Sequence, residues 1–341
     1  MSTIREVAEL ANVSPATVSR VLNYDTTYKM TEDTKERVWQ AAAKLGYQAP
    51  VRKRKQISDP PEKKESLHIG CIISTTLKQF VDPYFMTILS SIEERLGELG
   101  HSVATVTTSK ELQNQYLSRR DGVGLLDGLI LMDSLEEEVY QFIRQRVKVG
   151  CMVGIDTFHK DFDHVGYDHT GVSEMAVCHL YEKGYREIGF IGGSNRLKQN
   201  FNRSRRYQGF RSAMNYLDMP INTEWVLDSK WDDMECERLV SRLCREQNLP
   251  RAFYAASDLM AIAALNAFSV HGIRVPEEVA VIGVSDINIA KYANPPLTTI
   301  DISSREMGIE AANLLVQRLN GEQISPRRVL MPYHLIERKS T

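Results

Sequence analysis

Residues 13–23, VSPATVSRVLN, decide the fold of the amino-terminal part of the chain. Ser14 is a typical helix N-cap, and Pro15 follows at the first helical position, where its missing N–H costs nothing. These signals predict a short helix from Pro15 to about Leu22. The apolar residues expected to pack inward at helical spacing are Val18, Val21 and Leu22. The small and polar residues left facing outward are Ala16, Thr17, Ser19, Arg20 and Asn23.

Two further helices are predicted on either side of this one. Thr3 can cap a helix that ends at Ala11, and Thr31 begins a third helix that stops at Gly46. Two helices joined by a turn, the second short and rich in small polar residues, are typical of a helix-turn-helix unit, which binds the DNA major groove. The spacing alone is only moderately specific, because many three-helix units bind nothing.

The charge of the chain divides into two parts of opposite sign. The net charge of all 341 residues is −2, which by itself disfavours a nucleic-acid partner. Residues 1–66, however, carry twelve Lys/Arg against nine Asp/Glu, whereas residues 67–341 carry thirty against thirty-five. Residues 52–55 are four cations in a row, and the prolines at 60 and 61 cannot continue a helix, so a linker is predicted here. Taken alone, the basic run is also typical of a solvated linker that binds nothing.

Several classes of protein are disfavoured. No apolar run approaches the ~20 residues needed to span a bilayer, and residues 1–9 carry two acids and no apolar core, so no targeting peptide is indicated and a cytosolic protein is expected. The five cysteines form no C-x-x-C or zinc-like spacing, which favours reduced thiols, and the histidines are dispersed. No dinucleotide loop, P-loop lysine or Gly-x-Ser-x-Gly elbow is present. We therefore expect no enzyme, no metal and no cofactor.

The remainder of the chain alternates apolar runs with amphipathic stretches. Continuous apolar strands between helices are typical of parallel sheets covered on both faces, and a segment of this length predicts two doubly wound subdomains. The predicted strands span residues 67–73, 123–131, 149–155, 187–193, 251–256 and 279–284. Ligands bind such sheets beyond the carboxyl ends of the strands. Each polar residue there is either a helix cap or a ligand contact, and these residues are Ser74, Thr75, Asp156, Ser194, Asn195, Ser257, Asp258, Ser285 and Asp286.

Taken together, these segments resemble the lactose/galactose repressor family of bacterial transcription regulators. The resemblance rests on TIREVA at 3–8, VSPATVSRVLN at 13–23 and GY at 46–47, and in the body on DPYF at 82–85, GYREIGFIGG at 184–193, RYQGF at 206–210, ASD at 256–258 and PPLTTI at 295–300. It implies an all-α helix-turn-helix head (1–48), a hinge (49–66) and an α/β periplasmic-binding-protein-like body (67–341) of two doubly wound parallel-sheet subdomains. It places one subdomain at about 67–163 and 301–327, and the other at about 164–300 and 328–341.

For the head, the resemblance implies sequence-specific binding to double-stranded operator DNA. The positions that face the bases are Pro15, Ala16 and Arg20, and Arg20 is expected to bind guanine through both arms of its guanidinium. The candidates for phosphate contacts, which fix register without specifying sequence, are Thr3, Ser14, Thr17, Ser19 and Asn23. The family's hinge helix inserts a leucine into the minor groove, but this chain has glutamine there and Ile57 next. Either Ile57 inserts into the minor groove in place of the leucine, or the basic run that contains Arg52 and Lys53 contacts phosphates.

For the body, the resemblance implies a site for a small-molecule effector. The implied contacts are Asp156, Arg206 and Asp286 to sugar hydroxyls, Trp231 stacked on the ring, Asp82 and Tyr84 from the first subdomain, and Asp258 in a further contact segment. Most members have aspartate where Ser285 stands, so either Ser285 or Asp286 is expected to touch the ligand. Residues 284–287 and 189–193 look closest to galactose- and evolved-β-galactosidase-type repressors, which favours a galactoside that releases a homodimer from its operator. The alternative is a purine or phosphorylated corepressor.

Overall fold

The described part of the amino-terminal unit consists of three helices around a small apolar core. The computed structural model describes residues 3–22, 31–45, 67–73, 82–109, 111–112, 126–133, 135, 137–146, 149–155, 161–194, 201–321 and 325–341. The helices of this unit, which spans Met1–Lys64, are α1 (Ile4–Ala11), α2 (Pro15–Leu22) and α3 (Glu32–Lys44). Each contributes a fully buried valine to the core, namely Val7, Val18 and Val38. The bounds predicted for α1 and α2 are confirmed.

The second unit, Glu65–Thr341, begins with a sheet of six parallel strands. These strands are β1 (His68–Ile73), β2 (Ser102–Thr108), β3 (Leu126–Met132), β4 (Val149–Ile155), β5 (Asp163–Tyr167) and β11 (Arg328–Met331), in the order β11-β5-β4-β3-β1-β2. Ile73 and Met132 pack with α4 (Pro83–Glu98) and α10 (Ser304–Leu319), whereas the alternate residues Ile72 and Leu131 pack with α5 (Glu137–Arg146). Both faces are therefore covered, as predicted. We call this part the first lobe.

A second sheet of four parallel strands forms the second lobe. Its strands are β6 (Ile188–Gly192), β7 (Val226–Asp228), β8 (Ala252–Ala255) and β9 (Ala280–Ile282), in the order β7-β6-β8-β9. Phe190 and Tyr254 pack with α6 (His169–Glu182) and α7 (Arg205–Tyr216). Ile191 and Phe253 pack on the other face with α8 (Asp233–Glu246) and α9 (Asp258–Val270). The predicted architecture of two doubly wound sheets is confirmed.

The chain crosses between the lobes after β5, after β10 (Thr299–Asp301) and after β11, which leads into β12 (His334–Ile336). β10 and β12 pair with each other in an antiparallel ladder. The predicted subdomain limits at about 163 and 327 fall one strand too early, because β5 and β11 pair with each other inside the first sheet. Both strands are short and carry polar residues, so their sequences lack the long apolar run by which strands were identified.

Other expectations about the chain concern its thiols and its membrane segments. The described cysteine side chains are free thiols, of which Cys71, Cys236 and Cys244 are buried and Cys178 is half-buried. Burial raises the pKa of both Cys71 and Cys236 to about 12, with a further contribution from nearby acidic side chains, so these thiols are unreactive. Among the residues that the structure describes, no helix has the length and apolar character needed to cross a bilayer.

Candidate functional site

The turn between α1 and α2 is fixed by local hydrogen bonds. Thr3 and Glu6 form a reciprocal capping box at the start of α1, in which the Thr3 N–H donates to a Glu6 carboxylate oxygen at 2.7 Å. At the other end, Asn12 adopts a left-handed conformation with φ of 53°, and the N–H of Val13 donates to the carbonyl of Ala8 at 2.9 Å. The chain thus reverses within three residues, which places α2 against α1.

The start of α2 presents a small polar surface. Ser14 caps the helix, because its Oγ accepts from the backbone N–H of Thr17 at 3.1 Å. Burial of Val18 and Val21 in the core turns the opposite side of the helix outward, and Pro15, Ala16 and Arg20 are exposed there. The predicted phosphate contacts Thr3 and Ser14 are exposed, whereas Thr17 and Ser19 are half-buried. The predicted contacts Asn23, Arg52, Lys53 and Ile57 lie outside the described residues.

In the body, an arginine of the second lobe contacts a strand end of the first lobe. Arg206, the second residue of α7, donates from Nη2 to the hydroxyl of Tyr167, the last residue of β5. Its guanidinium carbon lies 5.1 Å from the centroid of the Trp231 ring and 5.6 Å from that of Tyr167. The structure therefore brings Arg206 and Trp231, two of the predicted effector contacts, close to each other and to Tyr167. The predicted contact Asp156 lies outside the described residues.

The first lobe contributes the beginning of α4. Asp82 caps this helix, since its carboxylate accepts from the Tyr84 N–H at 3.0 Å. The Tyr84 ring is half-buried and packs against the apolar clusters of both lobes, with its centroid 5.0 Å from that of Phe85. Tyr84 therefore occupies the boundary between the lobes, where a ligand held by both would lie.

The two carboxylates predicted beyond β8 and β9 have protein partners. Asp258 is 1% exposed; it accepts from the Thr299 hydroxyl at 2.6 Å and from the Ile287 N–H at 2.9 Å. Asp286 pairs with Arg338, with 2.6 Å between Oδ1 and Nη2. Ser285 and Asp286 both have positive φ, 115° and 45°, so the turn that follows β9 is held in a conformation that non-glycine residues rarely adopt.

Burial and nearby charges perturb the Asp258 carboxyl. Burial raises its pKa, the Thr299 hydroxyl and the Ile287 N–H lower it, and the charges of Asp286 and Arg338 oppose each other; the result is a pKa of about 7. With both oxygens used inside the protein, this carboxyl supports the turn that carries Ser285 and Asp286. The sequence did not predict Tyr167, Asp228 or Arg338 as residues of this site. Asp228, the last residue of β7, could have been predicted, because it is a polar residue at the end of a strand.

Comparisons with known proteins cover the whole chain. Residues 3–49 match the family described as "Bacterial regulatory proteins, lacI family", and residues 177–341 match the "Periplasmic binding protein-like domain". The "HTH-type transcriptional repressor MelR" of Bacillus subtilis (strain 168) is 31% identical to this chain, and the alignment covers 100% of this chain and 97% of MelR. The "HTH-type transcriptional repressor PurR" of Haemophilus influenzae (strain ATCC 51907 / DSM 11121 / KW20 / Rd) is 32% identical to this chain, and the alignment covers 100% of this chain and 98% of PurR.

Two solved structures have the same architecture. The complex of the transcriptional regulator CelR with cellobiose superposes with a TM-score of 0.69 at 27% identity, over 100% of both chains. The lac repressor dimer bound to operator and the anti-inducer ONPF superposes with a TM-score of 0.66 at 24% identity, over 99% of this chain and 98% of that one. At 24% identity, the similarity to the lac repressor shows a shared fold and nothing more.

Proposed function

Since the chain belongs to the lacI family of bacterial regulatory proteins, we propose that a sugar bound between the lobes of its body releases it from its operator. The chain is a DNA-binding transcriptional repressor and not an enzyme. The observation that carries the sugar proposal is the group formed by Arg206, Trp231 and Tyr167, because an indole face and a guanidinium fork are the groups that bind the apolar face and the hydroxyls of a pyranose.

On the DNA side, we assign base recognition to the exposed start of α2. Pro15 and Ala16 offer only apolar contact, for example to thymine methyl groups, so discrimination by hydrogen bonding rests on Arg20. Its loss is expected to lower specificity by ~1–3 kcal/mol, which is roughly 5- to 150-fold. Thr3, Ser14, Thr17, Ser19 and Asn23 serve the phosphates in this proposal. In the hinge, either Ile57 enters the minor groove or Arg52 and Lys53 contact phosphates.

This assignment is tested with a duplex selected in vitro by the full chain. The ratio of its affinity to that of a scrambled duplex is measured for the wild type and for Arg20→Ala. Arg5→Ala is the matched control, since Arg5 is an exposed arginine of α1 and its loss changes the charge of the head equally. The control is expected to weaken binding to both duplexes alike. An unchanged ratio in Arg20→Ala would refute the assignment.

On the effector side, Trp231 is proposed to stack on the ring and Arg206 to donate to hydroxyl oxygens. Asp82 and Tyr84 complete the site from the first lobe, together with Asp156. The similarity to CelR, whose structure is a complex with cellobiose, supports a sugar as the effector. The narrower proposal is a galactoside, supported by the form of residues 284–287 and 189–193. Asp258 and Asp286 shape the site in this proposal, because the protein itself binds both carboxylates.

Release is proposed to work through a homodimer. Two heads would bind a two-fold operator, and a sugar that stabilises one arrangement of the lobes would disfavour the arrangement that holds both heads on one site. Such coupling is typically ~1–3 kcal/mol and is reciprocal, so operator DNA must weaken sugar binding by the same factor. A single-headed monomer in sedimentation experiments at operator-binding concentrations would overturn this part.

A purine effector is the second candidate, because relatives 31–32% identical over the whole chain are named PurR. A thermal-shift screen of sugars and nucleobases, followed by operator titration with each hit, separates the two candidates. A galactoside or glucoside that weakens operator binding supports the first proposal. A nucleobase that strengthens operator binding supports the second and refutes the first.

A further inference from the structure

The carboxylate of Asp228, the last residue of β7, fixes two loops at once. Its Oδ1 accepts from the backbone N–H of Ser194 at 2.9 Å and from that of Lys230 at 3.0 Å. Its Oδ2 accepts from the hydroxyl of Ser194. Ser194 follows β6, and Lys230 follows β7, so one side chain holds together the two segments that leave the middle and the edge of the second sheet.

The segment after β7 has an unfavourable backbone conformation. Lys230 and Trp231 are consecutive non-glycine residues with φ of 55° and 59°, and side chains with a Cβ rarely adopt this region. Such a conformation persists only where the surroundings hold it. Ser229 supplies part of the restraint, because both its N–H and its buried hydroxyl donate to the carbonyl of Gly192, at 2.7 and 2.8 Å. Asp228 supplies a further restraint, because its Oδ1 accepts from the Lys230 N–H within this segment.

These restraints determine where the indole of Trp231 lies. Its Nε1 donates to the carbonyl of Ser194 at 3.1 Å, and Ser194 is itself held by Asp228. The ring passes so close to Gly193 that a Cβ on that residue would overlap it. The ring is held both through its own backbone and through Ser194, and the Asp228 carboxylate contributes to both restraints.

We propose that Asp228 is a positioning residue of the effector site, which holds the Trp231 indole beside Arg206 without itself binding the effector. This inference rests on the proposed function. It predicts that loss of the carboxylate loosens Trp231 in the absence of any ligand and, in consequence, weakens sugar binding. If the carboxylate had only a local structural role, its loss would change the stability of the lobe but would leave the mobility of the indole unchanged.

The test compares Asp228→Ala, Asp228→Asn and a matched control, Asp233→Asn, which removes one exposed acidic charge five residues further along. Trp39 and Trp225 are replaced by phenylalanine so that the fluorescence reports Trp231 alone. Acrylamide quenching is measured without ligand, and the dissociation constant for cellobiose is measured by calorimetry. In Asp228→Ala, we expect stronger quenching and roughly tenfold weaker binding. The asparagine variant should be close to wild type, because its carbonyl oxygen still accepts from both backbone N–H groups.

Each outcome decides the inference. Wild-type quenching in Asp228→Ala overturns it, as does an equal change in the Asp233→Asn control. If Asp228→Ala does not fold, Asp228→Glu replaces it, since the carboxylate is then displaced by one methylene, and wild-type quenching in that variant also overturns the inference. If the wild type binds neither cellobiose nor any other sugar, the proposed function fails, while the quenching of ligand-free protein still decides the part played by Asp228.

Discussion

Asp258→Asn is expected to change how the stability of the body depends on pH. The carboxyl is 1% exposed, and burial is the main reason why its pKa is raised to about 7. An amide has nearly the same shape: its oxygen can accept from the Ile287 N–H, and its NH₂ can donate to the Thr299 hydroxyl. The substitution therefore removes the titration while it keeps the hydrogen bonds.

Proton linkage gives the sign and the size of the change in the free energy of unfolding with pH. The folded-state pKa lies above the unfolded value near 3.9, so the folded state binds more protons between pH 4 and 7, and the free energy of unfolding falls as the pH rises through that range. For a folded pKa of about 7, the loss between pH 5 and pH 8 is roughly 2–3 kcal/mol. Asparagine does not titrate, so the free energy of unfolding of the variant, relative to that of the wild type, should rise by this amount between pH 5 and pH 8.

Urea unfolding at pH 5 and pH 8, followed by circular dichroism, measures this difference. Burial is the main reason why the pKa of His179 is lowered, but His179 is present in both proteins, so its contribution cancels in the comparison. A difference in unfolding free energy between variant and wild type that is the same at both pH values would refute the reasoning.

Asp163→Asn is the control for this measurement, because its pKa is shifted the other way. Burial raises that pKa, but the hydrogen bonds from the Arg318 guanidinium and the Arg327 N–H, with the charges of both arginines, outweigh burial and leave it below its usual value. Its stabilising contribution is present above the unfolded pKa and is lost only as the pH falls through the folded pKa. Asp163→Asn should therefore destabilise the body equally at pH 5 and pH 8.

Three further substitutions test the packing that supports the site. Gly308→Ala places a methyl group against the backbone of α4 and should lower the free energy of unfolding by ~1–3 kcal/mol in urea titrations. Gly193→Ala should displace the Trp231 indole, which is checked as a change in its fluorescence with little change in melting temperature. Arg318→Leu leaves the buried Asp163 without its bidentate partner and should cost ~3–5 kcal/mol by the same urea assay.

The elements that the sequence predicted well are those whose causes are local. α1 and α2 were predicted to the residue because caps, a proline at the first position and apolar spacing all lie within each segment. β5 was missed, since its sequence DHVGY holds a buried carboxylate whose partners, Arg318 and Arg327, lie 155 and 164 residues away along the chain. β7 is three residues long and β2 lies at the edge of its sheet, so neither has an apolar run.

The same distinction applies to the polar residues beyond the strands. Position after a strand correctly indicated that Asp258 and Asp286 would lie at the carboxyl edge of a sheet. Their partners, Thr299 and Arg338, are 41 and 52 residues away along the chain, so their engagement inside the protein could not be predicted from local sequence. A carboxylate at such an edge is available to a ligand only if the fold brings no closer donor to it.

Arg206 links the two lobes, because it belongs to the second lobe and donates a hydrogen bond to a residue of the first lobe. Its guanidinium donates to the hydroxyl of Tyr167, which ends a strand of the first lobe, while α7 belongs to the second. A ligand shifts a conformational equilibrium only through interactions that differ between the two states. A sugar oxygen that accepts from the same guanidinium competes with Tyr167, so its binding energy depends on how the two lobes are arranged, and this dependence is the physical requirement for coupling an effector to DNA binding.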